Sequence, residues 1–370
     1  MMITTMIPDQ SLSSYDYHLP PELIAQNPAE PRDSSRLLVV DSPNSHNLAI
    51  FRDLPTWLEP GDLLVLNDTR VIPARLFGRK TTGAPIEILL LEEQDDHRWL
   101  SLVKPGKRFK VGSEVLFYPK TGRTENKEKL WLAKVIDRDL NTSGRLLEFQ
   151  RHPGRSFWDI LEEYGHIPFP PYVTESEAEE DRYQTVYGYK QGSVAAPTAG
   201  LHFTPELFHK LAQKGIDTTY ITLHVGVGTF RPVEVENITE HLMHREFLEI
   251  SAETAEKIAQ TKARGGRVIA VGTTVARALE GAIKETKSDK VTAFQGKTNL
   301  FVYPGYQWRV IDGMITNFHL PKSSLMMLVS ALVGRERLLA LYQAAIQERF
   351  RFYSFGDAML ILPSACSSNR

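Results

Sequence analysis

Between residues 61 and 155 apolar and polar positions alternate over short runs, and no stretch sustains a helical period. Runs at 63–66, 85–91, 99–103, 114–118, 130–135 and 145–149 are separated by Gly-containing or polar turns, and each predicts a β-strand. Six short strands at regular spacing predict a small antiparallel barrel or sandwich. Ser156 is placed to cap a short helix to residue 164, ahead of the break at Pro168, Pro170 and Pro171. From Gly192 the pattern changes. Thr204 and Pro205 open a helix that stops at Gly215. Strands at 219–225, 267–271 and 309–315 then alternate with helices at 252–264, 274–283, 323–332 and 336–348, which predicts α/β architecture. The first 58 residues offer one strand, 36–40, and too few apolar positions for a core of their own. The expected fold is therefore an α/β larger domain, residues 1–60 and 156–370, with a smaller all-β barrel domain, residues 61–155, inserted.

Composition narrows the function classes. A chain of 370 residues, 42% hydrophobic and 24% charged, is long enough for two domains. The start shows no basic segment followed by an apolar run, and the longest apolar stretch, 325–333, is interrupted by Ser330 and far short of the ~20 residues of a spanning helix. A cytoplasmic protein with no membrane role is expected. One cysteine, Cys366, excludes a disulfide framework, a thiolate zinc site and an iron–sulfur cluster. The net charge of −2 hides a segregation: residues 61–155 carry 18 Lys or Arg against 13 Asp or Glu, the remainder 25 against 32. A locally basic barrel fits a nucleic-acid backbone better than the whole-chain charge suggests.

Several segments carry candidate chemistry, each with a plain structural alternative. Asn67 to Arg75 places Arg70 and Arg75 five apart, suited to clamping a carboxylate or phosphate, or else to a turn in which Asp68 pairs with an arginine. Gly192 to Thr204 is short of large side chains until His202 and Phe203, which suits backbone approach to a ligand or tight packing equally well. In His224 to Pro232 the Gly226-x-Gly228 spacing lacks a third glycine, and Pro232 falls where a phosphate-binding helix should begin, so a dinucleotide fingerprint is rejected. Gly272, Thr273 and Thr274 lie at a strand-to-helix turn that suits an anionic or ribose group, or serves as an ordinary cap. His241 and His244 are spaced to share a helix face but lack companions for a metal set. His202, His224 and His319 all sit at strand or helix ends, where α/β domains place their sites. The aromatic stretches 300–306, with Tyr303, and 350–357 fit purine stacking or a core, and Asp357 sets a carboxylate beside the apolar strand 358–362.

Taken in order, these strings resemble one family, the S-adenosylmethionine:tRNA ribosyltransferase-isomerases of queuosine biosynthesis. The resemblance runs from about Tyr15 to Leu362. It includes Arg32 to Leu38, Asn67 to Arg75, Lys104 to Arg108, Gly165 to Pro168, Asp181 to Tyr187, Ala196 to Thr204, His224 to Pro232, Gly272 to Thr274, Tyr303 to Tyr306, Thr316 to Pro321 and Gly356 to Met359. It departs at Thr82-Gly83-Ala84, where relatives often carry paired glycines. The resemblance implies transfer and isomerisation of the ribosyl moiety of S-adenosylmethionine onto 7-aminomethyl-7-deazaguanine at the wobble position of tRNA, giving epoxyqueuosine-tRNA with release of adenine and methionine. S-adenosylmethionine would then be a consumed cosubstrate, with no separate cofactor and no metal, and the enzyme would act as a monomer. A proton must leave C5′ beside the sulfonium, and adenine must be protonated or hydrogen-bonded as it departs. Groups for that work need pKa values near neutrality. His202, His224, His319 and Asp357 are the expected catalytic residues. Arg70, Arg75, Gly272, Thr273, Thr274, Arg277, Tyr303 and Phe318 are expected to bind S-adenosylmethionine or tRNA, and Lys104, Lys107, Arg108 and Lys110 to hold the tRNA backbone.

Overall fold

The computed structural model describes residues 8–95, 97–106, 109–120, 130–139, 143–226 and 233–366. The chain divides into two units: residues 1–70, 170–190 and 196–370, and residues 71–169 with 191–195.

The first unit is built on a nine-stranded mixed sheet in the order Phe294–Thr298, Glu246–Ile250, Asp217–Leu223, Leu63–Asn67, Val268–Val271, Gly313–Asn317, Ala358–Ile361, Arg36–Val40 and Asn47–Ile50. Its centre is four parallel strands, from Asp217–Leu223 to Gly313–Asn317. Leu63, Leu64, Val65 and Leu66 are fully buried, as a parallel strand covered on both faces must be. The helices Pro205–Gln213, Ala252–Ala263, Thr273–Thr286, Ser324–Val333 and Arg335–Gln347 belong to this unit. Three of them are capped by side chains of Thr204, Ser251 and Ser323.

Two segments of the chain depart from the expected strands. The apolar run at 63–66 is a central strand of the large sheet and not a barrel strand, because a continuous run without alternation needs burial on both faces. The strand expected at 309–315 begins only at Gly313. Upstream of it the fully buried Glu280 carboxylate accepts hydrogen bonds from the N–H groups of Arg309 (3.2 Å), Val310 (2.9 Å) and Ile311 (3.3 Å) and from the Tyr306 hydroxyl (3.1 Å), which holds that segment as a turn.

In the second unit six antiparallel strands close into a barrel: Arg75–Lys80, Pro85–Asp95, Arg98–Lys104, Arg145–Phe149, Trp131–Arg138 and Glu114–Phe117, the last pairing back onto the first. Closure depends on Gly78, where a Cβ would lie 2.7 Å from Leu116 O and from Val115 Cγ1. The interior is aromatic. Trp131 and Phe149 have centroids 4.6 Å apart, and Trp99 stacks on Phe157 at 5.4 Å. Phe157 comes from the helix Phe157–Tyr164, which Ser156 and Asp159 start with reciprocal side-chain to backbone bonds of 3.1 Å each. The unit boundaries lie at 70/71 and 169/170, against the expected 60/61 and 155/156.

Candidate active site at the carboxyl edge of the large sheet

Parallel strands present all their carboxyl ends at one edge of a sheet, and a ligand site forms where the connections diverge to either side. The chain leaves Leu63–Asn67, adds Asp217–Leu223 on one side and returns to place Val268–Val271 on the other, so the divergence falls at Asn67. Register extends this edge outward. Asn317 pairs with Ala358, and Ala358 with Leu37, which brings Asp357, Arg36 and Ser35 to the same edge as His224, Gly272 and His319.

Asn67, fully buried, welds the strand tips. Its Oδ1 accepts from Leu223 N–H (3.0 Å) and Thr69 N–H (3.2 Å), and its Nδ2 donates to Leu223 O (2.9 Å) and lies 3.5 Å from Thr274 Oγ1. Thr69 Oγ1 in turn sits 2.8 Å from His224 Nδ1, while the imidazole stacks on Phe247 with centroids 5.2 Å apart. Sequence reasoning assigns Asn67 no role of its own, and an amide at a buried strand end is the signal that marks it. Asp68 beside it accepts from the Thr222 hydroxyl at 2.7 Å and does not pair with an arginine in the way the turn alternative required; burial raises its pKa.

Next along the edge, Gly272 has φ +97, a conformation that L side chains rarely adopt, and it caps the helix Thr273–Thr286 with no side-chain bond. The N–H groups of that first turn are therefore left to other partners, and the helix dipole favours a negative or strongly polar group there. Ala199, from the turn Thr198–His202, stands 3.7 Å from where a Cβ on residue 272 would be.

The three histidines repeat one arrangement, an imidazole against a hydroxyl. His202 Nδ1 is 2.7 Å from Ser35 Oγ, and its ring stacks on Phe51 at 4.8 Å. His319 Nε2 is 2.7 Å from Thr316 Oγ1. Its backbone N–H bonds the Tyr342 hydroxyl at 2.9 Å, and its carbonyl accepts from Tyr17. Burial lowers His202 and His319 to about 3 and His224 to about 4. Beyond burial, His202 feels the positive charge of Arg351 and His224 that of Lys190. The expected near-neutral imidazoles are thus replaced by firmly neutral ones. Nor do they form a single cluster. The His224 strand and Gly313–Asn317 are three strand spacings apart, on the order of 14 Å. His202 Nε2 and Asn317 Oδ1 are buried without a hydrogen bond of good geometry, the only such ring nitrogen among these three histidines.

Other expected site residues take different places. Asp357, 1% exposed, receives Arg36 N–H (2.9 Å), Arg351 N–H (2.7 Å) and an Arg351 guanidinium nitrogen (3.3 Å), so its carboxylate pins a turn to the start of a strand. Phe318 is fully buried among Tyr342, Phe350 and Phe352 and is a core residue, because the strand end it occupies faces that aromatic cluster. Arg277, buried, pairs with Glu246 at 2.7 Å and donates to Leu300 O at 3.2 Å, leaving one guanidinium nitrogen, Nη2, buried without a partner. Glu246 Oε1 also accepts from Gly226 N–H at 3.3 Å, so the pair anchors the start of the glycine loop. Residues 227–232 of that loop lie outside the described residues, as do Lys107 and Arg108. Arg70, half-buried, follows Thr69 at the edge. Arg75 belongs to the barrel, 3.5 Å from Glu87 and 3.4 Å from Phe169 O. Tyr303 is half-buried against Phe301, and Lys104 and Lys110 are exposed on the barrel. His241 and His244 share no helix face, since the turn Ile238–Glu240 ends before them.

No helix among the described residues is long and apolar enough to cross a membrane. Comparison with known proteins identifies the family. The family model described as queuosine biosynthesis protein matches residues 12–361. Proteins named S-adenosylmethionine:tRNA ribosyltransferase-isomerase are similar along nearly the whole chain. That of Nostoc is 58% identical, covering 96% of this chain and 93% of its own; that of Thermosynechococcus vestitus is 56% identical, covering 97% and 98%. A crystal structure of S-adenosylmethionine tRNA ribosyltransferase from Thermotoga maritima, 38% identical, superposes with a TM-score of 0.52 over 94% of this chain and 99% of that one. With a closed barrel, a large mixed sheet and relatives of this identity, the chain belongs to the S-adenosylmethionine:tRNA ribosyltransferase-isomerase family of queuosine biosynthesis enzymes.

Proposed function

We propose that this enzyme transfers the ribosyl group of S-adenosylmethionine to the aminomethyl nitrogen of 7-aminomethyl-7-deazaguanine at the tRNA wobble position, isomerises it to the epoxide-bearing cyclopentane of epoxyqueuosine, and releases adenine and methionine. The observation that carries the reading is the carboxyl edge itself, where neutral, hydroxyl-anchored imidazoles flank a helix N-terminus that no side chain caps. Gly272, Thr273 and Thr274 suit the ribose or carboxylate of the cosubstrate. A neutral imidazole has a ring nitrogen free to receive a proton, so His224 or His202 is assigned to the C5′ position next to the sulfonium, although values of about 4 and 3 make each a weaker base than the near-neutral group that such work favours. Burial disfavours the charged imidazole at all three positions, so any of them would assist departing adenine through a ring N–H hydrogen bond rather than by delivering a surplus proton. S-adenosylmethionine is consumed as a cosubstrate, and the reading requires no further cofactor. A monomer acting in the cytoplasm is part of the same reading.

The test is turnover with tRNA bearing the deazaguanine precursor. Free adenine is expected; S-adenosylhomocysteine would instead mark a methyltransferase, and neither product would mark a non-catalytic RNA-binding protein. His202→Gln, His224→Gln and His319→Gln should each slow adenine release. Near-normal turnover in all three would sink the catalytic assignment.

A further inference from the structure

Outward positions of a small barrel face solvent and are ordinarily polar, yet Phe77 on the strand Arg75–Lys80 is 49% exposed. It lies in a groove of about 1160 Å³ whose described lining residues all belong to the barrel unit. That exceeds the roughly 300–1,000 Å³ of ordinary small-molecule sites. Strand register sets out its floor. Phe77 stands opposite Glu87, Glu87 opposite Lys104, and Arg79 opposite Pro85 on one side and Leu116 on the other. His166 meets the Phe77 ring edge to face at 5.4 Å and holds it upright, and Tyr118 adds a second aromatic wall. Around these rings are Arg79, Lys104 and Lys120, whereas Glu87, the one acidic lining residue among those described, is already 3.5 Å from Arg75.

An exposed ring on a sheet surface with cations at its margin is the arrangement that binds single-stranded nucleic acid, because every base has a face to stack and every nucleotide a phosphate to neutralise. We propose that this groove is a subsite for one unstacked nucleotide of the tRNA, its base lying on Phe77 and its phosphate held by Arg79 and Lys104. The assignment rests on the reading of the chain as a tRNA-modifying enzyme. A sequence-independent stacking site of this kind adds affinity and holds the loop open without taking part in the chemistry.

The experiment uses the full chain and an anticodon stem-loop transcript, with affinity measured by fluorescence anisotropy across a salt series and adenine release measured with precursor-bearing tRNA. Phe77→Ala should weaken binding roughly 5- to 150-fold, the range for losing one stacked base. The same factor should appear in KM for tRNA and not in kcat, and Phe77→Trp should restore both. Joint replacement of Arg79 and Lys104 by Ala should lower the slope of log Kd against log salt by roughly 0.7, the value for one neutralised phosphate on a single strand. If the wild-type protein binds the transcript but Phe77→Ala binds within twofold of it, the groove is no RNA subsite, while the tRNA-modifying reading stands. Loss on Phe77→Ala without rescue by Trp also overturns the stacking assignment. A wild-type protein that binds neither transcript nor tRNA defeats both.

Discussion

Acid should unfold the α/β unit through its three edge histidines. His202 and His319 are 5% and 9% exposed, and His224 is largely buried, so burial holds all three neutral at about 3 to 4 in the fold against an ordinary value of 6.5. Between those values the unfolded chain binds protons that the folded one does not. Each histidine's contribution is therefore complete above pH 6.5 and is lost as pH falls towards the folded value. At pH 5 the unfolded imidazole lies 1.5 units below its pKa, and at about 1.36 kcal/mol per unit each site costs roughly 2 kcal/mol. The folded values hardly enter, because all lie below pH 5. Three sites together cost about 6 kcal/mol, comparable with the whole 5–15 kcal/mol stability of a typical protein. Urea unfolding followed by circular dichroism at pH 7.5, 6 and 5 measures this, with His319→Gln and His202→Gln beside the wild type. Each variant should be less stable than wild type at pH 7.5, through lost packing, but its deficit should narrow by about 2 kcal/mol at pH 5 because one titration is gone. A deficit that stays constant across that range would refute the reasoning.

Two further outcomes follow from buried contacts. Arg277→Met strands the buried Glu246 carboxylate and should cost about 3–5 kcal/mol, whereas the double variant with Glu246→Leu should recover most of it, as thermal denaturation of the three proteins would reveal. Gly78→Ala puts a methyl group 2.7 Å from Leu116 O and Val115 Cγ1, so it should open the barrel seam at about 1–3 kcal/mol; hydrogen exchange in Arg75–Lys80 and Glu114–Phe117 should rise while the large sheet stays protected.

Much of the fold is legible in the chain because it is written locally. The alternation in 85–149 and the Ser156 cap announce the barrel and its closing helix without help from distant residues. Where reading fails, a distant partner decides. Leu63 to Leu66 reads as the first strand of the barrel from its place in the chain, and pairing with residues 217–221 and 268–270 puts it at the centre of the large sheet instead. Arg309 to Ile311 carries β-forming residues, but a carboxylate some thirty positions earlier takes its N–H groups. The positions of His202, His224 and His319 along the chain mark them as candidates, whereas their neutrality is not legible there, since it comes from burial and from the surrounding packing. Asp357 and Phe318 looked chemical by position and prove to be held by Arg36 and by an aromatic cluster. Phe77 shows the converse: alternation puts it on the outer face, and nothing in its neighbourhood of sequence says that a groove surrounds it.

The strand Ala358–Ile361 lies between Gly313–Asn317 and Arg36–Val40, bonded to both. During synthesis this has a consequence for timing. The barrel's strands occupy one continuous stretch and can pair as they leave the ribosome, but the large sheet waits with two open edges until Ala358–Ile361 has been added. A chain halted before Ala358 would present the apolar strand Arg36–Val40 to whatever strand it met first, so a truncation that removes Ala358–Ile361 should yield aggregates rather than a shortened enzyme.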